Sequence, residues 1–206
     1  MASPRTRRLI SDAEVIRRRF ACWPLIEISG SAGIPPEVYR FTYRISGLYV
    51  DAGGNILARD SHLLEVNLSL GYPRRAPQCR MVTPVFHPNF DDATVCIGDF
   101  WAAAEGLDEL VIRIGRMIAY QEYNTKSPLN GLAAKWAAQN MHLLPIDSRV
   151  IAPPAIDPAE PSPPLVTPHE FTPPAAGATP DSTSPQQAPQ SESDPWSEKI
   201  VVDSQF

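Results

Sequence analysis

Residues 83–101 read TPVFHPNFDDATVCIGDFW. Neither the twofold repeat of a strand nor the 3.6-residue repeat of a helix runs through them. A structureless stretch of that length inside a compact domain is uncommon, and it usually carries function. Its surroundings are periodic. Before it come four strand-like runs with no helix between them: residues 25–28; 40–46, with Phe41, Tyr43 and Ile45 on one face; 64–70, with Leu64, Val66, Leu68 and Leu70 inward; and 79–82. DAGGN at 51–55 is a hairpin turn, because its glycines accept positive φ. GYPRRAP at 71–77 is extended, since each residue before a proline is pushed out of the helical region.

After the loop, Leu107, Leu110, Val111, Ile114, Met117 and Ile118 form an apolar stripe at helical spacing. LNGLAAKWAAQNM at 129–141 reads as another helix, with Leu132 and Trp136 inward. A first helix over 5–21 carries Leu9, Val15, Ile16 and Phe20, with Ser11 or Asp12 as its N-cap. Helix, four-stranded antiparallel meander, long loop and further helices make an α+β domain.

The 206 residues divide by composition. Of 23 prolines, 14 lie from Pro145 onward, and residues 145–206 carry nine acids against Arg149 and Lys199. The expected organisation is a mildly basic domain over 1–144, a Pro-rich disordered linker over 145–193, and a last segment, 194–206. That segment, DPWSEKIVVDSQF, regains large apolar residues and reads as a docking peptide; the plain alternative is a disordered terminus. No apolar run approaches the ~18 residues that cross a bilayer. The basic N-terminus lacks the apolar stretch of a signal peptide, so the expected location is cytoplasmic. Neither membrane nor nucleic acid is an expected partner.

Cys22, Cys79 and Cys96 are an odd set without CxxC spacing, which argues against a disulfide framework and a zinc cage. Cys79, in a strand beside Met81, and Cys22, between Ala21 and Trp23, read as buried packing. Cys96 sits in the aperiodic loop with Asp91, Asp92 and Asp99 around it. Carboxylates suit a papain-like thiolate poorly, because that needs a cationic neighbour. They suit a thiol that exchanges acyl groups with another thioester. His87 is either a general base for Cys96 or a histidine that holds the turn, and flanking Phe86 and Pro88 favour the turn. Asn89 offers a neutral amide to a developing oxyanion, or is a turn former.

Tyr72-Pro73 followed by Pro77, then TPVFHPN (83–89), VCIGD (95–99), Trp101 and SPLN (127–130) resemble the ubiquitin-conjugating enzyme (UBC) family from residue 8 to about 141. The resemblance implies the UBC fold. It also implies an acyltransferase that takes a ubiquitin-like protein from an activating enzyme as a cysteine thioester and passes it to an amine, usually lysine. By that resemblance Cys96 is the thioester cysteine and Asn89 supports the loop and the oxyanion. Ser127 stands where an acid or serine orients the incoming amine. His87, Pro88 and Trp101 are structural. Arg7, Arg8, Arg17, Arg18 and Arg19 on the first helix dock the activating enzyme.

The expected partners are therefore an activating enzyme, a ubiquitin-like modifier and a protein target. No metal or small cofactor is implied. The loop from Asn89 to Cys96 is one residue shorter than usual, the gap from Cys96 to Trp101 is also shorter, and QEYNTKSP is longer. With three lysines against fifteen arginines, these departures resemble bacterial conjugating enzymes of antiphage operons, which also hold a JAB-type deconjugating protease. The alternatives are a non-catalytic UBC-like adaptor and a cysteine hydrolase using Cys96 and His87.

Overall fold

The computed structural model describes residues 2–92, 94–97 and 101–154. Helix α1 (Pro4–Phe20) leads into strands β1 (Ile26–Ala32), β2 (Val38–Tyr43), β3 (Gly47–Val50), β4 (Ile56–Arg59), β5 (His62–Asn67) and β6 (Gln78–Met81). Helices α2 (Leu107–Ile118) and α3 (Gly131–Gln139) follow, then a 3₁₀ turn, Met141–Leu143. The sheet is antiparallel with order β1-β2-β5-β6, and β3 and β4 form a separate hairpin. This is the expected N-terminal helix, four-stranded meander and later helices. The turn at 51–55 closes the β3–β4 hairpin; Gly54 takes φ +81° there.

The alternation read in the sequence sets the inward face. Phe41, Tyr43, Leu64 and Val66 are fully buried, and Leu107, Leu110, Val111, Ile114 and Ile118 of α2 meet them in one core. Each such side chain contributes roughly 1.5–3 kcal/mol by leaving water. Leu9, Ile16 and Phe20 bring α1 into the same core. The Tyr43 hydroxyl donates to the Val111 carbonyl at 2.9 Å and ties the sheet to α2. Gly115 lets α2 approach closely: a Cβ there would stand 2.8 Å from Ile151 and 3.1 Å from Tyr43.

Several local expectations are corrected. Ser3, not Ser11 or Asp12, caps α1, its hydroxyl accepting from the Thr6 N–H. Asp12 is instead buried, accepting from Arg8 Nε at 2.8 Å and from the Tyr72 hydroxyl at 2.5 Å. Leu70 is exposed because β5 ends at Asn67 and the chain turns away. Leu132 is exposed because α3 turns Ala133, Trp136 and Ala137 inward, the small alanines allowing close packing. Cys22 is exposed, since α1 stops at Phe20.

The packed unit also runs past residue 144. Ile151 is 1% exposed in the core, and its carbonyl accepts from Trp23 Nε1 at 2.9 Å. The rest of the expected linker and the segment 194–206 lie outside the described residues. No helix among the described residues is long and apolar enough to cross a membrane.

Candidate active site

The aperiodic loop is irregular in outline but tightly tied. Phe90 and Val95 form an antiparallel bridge. The Val95 N–H donates to the Cys79 carbonyl of β6 at 3.0 Å, and the Cys96 N–H to the Asn89 carbonyl at 2.8 Å. Asp91 turns inward on its own loop, its carboxylate accepting from the Thr94 N–H at 2.6 Å. Cys96 therefore leaves a small closed hairpin next to Asn89 and remains partly exposed. Asp99 lies outside the described residues.

His87 is fully buried. Its Nδ1 accepts from the Asn89 N–H at 3.0 Å, which places the neutral ring's proton on Nε2. The ring stands edge-on to Phe90 and Tyr120, with centroids 4.8 and 4.7 Å away. Burial drives its pKa down to about 3, with the Glu122 backbone drawing weakly the other way. A neutral imidazole whose free lone pair is already engaged holds the turn and offers no base to Cys96. Pro88 extends the anchoring, its carbonyl accepting from the Asn130 N–H at 3.0 Å.

Asn89 is also buried, and its side chain has a partner apart from those of its backbone. Its Oδ1 accepts from the Asn124 N–H at 3.0 Å. The Asn124 Oδ1 accepts in turn from the Lys126 N–H at 2.9 Å and the Ser127 N–H at 3.4 Å. This amide relay carries the loop after α2 to the cysteine. Cys96, Asn89 and Ser127 consequently line one cleft of about 340 Å³, together with Ile97, Arg113, Met117, Glu122, Tyr123 and Asn124. With Oδ1 occupied, the Asn89 amide has only its two Nδ2 protons to offer.

Trp101 is not among the residues that line the cysteine cleft. Its Nε1 donates to the Pro73 carbonyl at 2.7 Å and its ring tilts on Tyr72. It fastens the chain leaving the loop to the segment before β6.

The arginines of α1 separate into two sets. Arg8 binds Asp12 and donates to the carbonyls of Ala103, at 2.6 Å, and Glu105. Arg19 pairs with Asp108 and Glu109 at the start of α2. Both hold the domain together. Arg7, Arg17 and Arg18 make no ion pair among the described residues.

Sequence reasoning missed Tyr120, Asn124, Arg113 and Glu122. Tyr120 follows α2 with φ +54°, a left-handed helix stop usually filled by glycine. Its hydroxyl donates to the Phe86 carbonyl at 2.6 Å, and that contact together with His87 holds the strained backbone. Nothing local marks Tyr120 for this. Asn124 carried a signal, because asparagine in a polar loop commonly accepts from N–H groups just ahead of it. Arg113 and Met117 lie four apart on α2 and so share the face toward the cleft. Among the described residues no three His, Cys, Asp or Glu side chains cluster as metal ligands would.

These observations define an α+β domain whose long loop and helix-following segment meet around a partly exposed thiol. The chain matches the family model for ubiquitin-conjugating enzymes over residues 35–144, more than half of its length, and belongs to that family. Members of the family work with an activating enzyme, a ubiquitin-like protein and protein targets.

Proposed function

We propose that this protein carries a ubiquitin-like modifier as a thioester on Cys96 and transfers it to an amine, in most targets a lysine. The observation that carries this reading is the cleft in which Cys96, Asn89 and Ser127 meet. In the first step the Cys96 thiol gives its proton to solvent, its sulfur attacks the thioester carbonyl joining modifier to activating enzyme, and the activating enzyme's thiolate leaves. In the second, an amine attacks the Cys96 thioester; the amine proton goes to solvent and the Cys96 thiolate is expelled. A thiolate leaves readily, so the protein supplies mainly proximity, orientation and a few hydrogen bonds. Asn89 Nδ2 donates to the oxyanion of each tetrahedral intermediate, and Ser127 borders the path of the amine.

Family membership supports this chemistry against the adaptor reading, since Cys96 and Asn89 are both present. The buried, neutral His87 weighs against the hydrolase reading. Arg7, Arg17 and Arg18 form the face that attracts an acidic activating enzyme. The shortened loop and the scarcity of lysine favour a bacterial antiphage conjugation system with its own activating enzyme, modifier and JAB-type protease. Few lysines leave few amines for self-modification.

The test is a charging reaction with an activating enzyme, a ubiquitin-like protein and ATP. A reductant-sensitive adduct is expected, lost in Cys96→Ala and trapped as a reductant-stable amide in Cys96→Lys. An adduct that survives Cys96→Ala overturns the assignment.

A further inference from the structure

A second groove lies away from the cysteine cleft, between α1 and the β1–β2 turn. It encloses about 310 Å³ and is walled by Ile10 and Ile16 of α1, Ile28 of β1, Pro35 of the turn and Tyr39 of β2, with Arg17 and Glu14 as its charged lining residues. Ile10 is 45% exposed, and Ile34 beside Pro35 is fully exposed. The Tyr39 hydroxyl is buried and has no hydrogen-bond partner among the described residues. A clustered apolar surface of this kind, rimmed by charge, marks an interaction site more often than scattered exposed residues do.

Three observations select the occupant. The first is charge. Arg7, Arg17 and Arg18 lie on α1 at spacings that put them beside Ile10 and Glu14 on one helix face, and none has an ion pair among the described residues. The second is the chain's own composition. The segment 194–206 alternates Trp196, Ile200, Val201, Val202 and Phe206 with Asp194, Glu198 and Asp203 against the single Lys199. It offers apolar side chains to the groove and carboxylates to the helix face beside it, where Arg7, Arg17 and Arg18 outnumber Glu14.

The third is reach. Pro154 is the last described residue before this segment, and 39 residues, 155–193, separate it from Asp194. A flexible chain of 39 residues would have a root-mean-square span of about 35 Å, and a proline-rich one a longer span. A domain of this size is roughly 40 Å across. A tether matched to the span gives an effective concentration in the millimolar range, which a second copy at micromolar concentration cannot match.

We propose that residues 194–206 dock in this groove of their own chain. The apolar side chains cover Ile10, Ile28 and Pro35, and the carboxylates face Arg7, Arg17 and Arg18. The docking itself does not depend on the proposed function.

The test uses the full-length chain with Phe206→p-benzoylphenylalanine, irradiated over a hundredfold range of dilution and mapped by peptide mass spectrometry. Intrachain cross-links to peptides covering residues 7–18 or 28–39 are expected, at a yield that does not change with dilution. The yield should fall at least fivefold in Ile10→Asp and, should that variant melt early, in Ile200→Asp, which leaves the packed domain untouched. Cross-links between chains that grow with concentration would assign the groove to a second copy and overturn the proposal. Cross-links to another face, or none above those of a free peptide, would overturn it equally.

Discussion

Replacing Asn89 separates the loop contact of one side-chain atom from the oxyanion role proposed for another. Oδ1 accepts from the Asn124 N–H at 3.0 Å and so holds the loop bearing Ser127. Nδ2 is left for the oxyanion. Asn89→Ala removes both; Asn89→Asp keeps the acceptor and replaces the donor by a carboxylate. The lost loop contact is one hydrogen bond between the buried Asn89 side chain and the backbone of exposed Asn124, about 1 kcal/mol of stability. The lost donor is one oxyanion contact, about 10²–10³ in rate, or roughly 2.7–4 kcal/mol of barrier. Asn89→Asp keeps the loop contact but buries a carboxylate, so it should melt below the wild type as well, and it should discharge its thioester to free lysine at least about a hundredfold more slowly. Asn89→Ala should show a similar rate loss and a lower melting temperature. The assay is single-turnover discharge of the pre-formed Cys96 thioester, followed on non-reducing gels, with thermal melts alongside. If Asn89→Asp discharges at the wild-type rate while Asn89→Ala is slow, the side chain acts only by holding the loop, and the oxyanion assignment is refuted.

Three further outcomes are expected. His87 has a folded pKa of about 3 against an ordinary 6.5, so below pH 6.5 the unfolded chain binds a proton that the folded chain refuses. Stability should fall as pH drops from 6.5 toward 3, by up to about 1.4 kcal/mol per unit from this residue; urea midpoints of wild type and His87→Gln should converge over that range. Mass-mapped alkylation of the native chain should modify exposed Cys22 and partly exposed Cys96. Cys79, buried with its thiol pushed up to about 12 by desolvation, should react only on unfolding. If the terminal segment covers the arginine face of α1, Ile200→Asp should raise the initial charging rate several-fold at low ionic strength. The gain should shrink in high salt, where that attraction is screened.

Much of the fold was legible locally. Strict alternation in Phe41, Tyr43, Leu64 and Val66, and the stripe of α2, specify which faces turn inward, because burial rewards one face of each element. The ends of elements were less legible. Leu70 and Leu132 continue their patterns by residue type, yet lie outside, because the strand stops and the helix phase is set by what it packs on. Trp23 and Ile151 meet across the domain, so proline-rich composition alone placed residues 145–154 wrongly in a linker.

The site divides in the same way. Cys96, Asn89 and His87 are close in sequence, and their residue types in an aperiodic loop sufficed to single them out. That His87 is a buried post rather than a base was decided by the rings of Phe90 and Tyr120 and by the Asn89 N–H, which only packing brings to it. The Asn124 relay, the left-handed turn at Tyr120 and the division of the α1 arginines between structure and surface depend on partners up to 97 residues away. The sequence by itself determined the element types, the inward faces and the aperiodic loop that carries Cys96, since these follow from local periodicity and residue chemistry. Tertiary structure alone decided which polar groups are free to act, because a donor or charge is available only when no distant part of the chain has already engaged it.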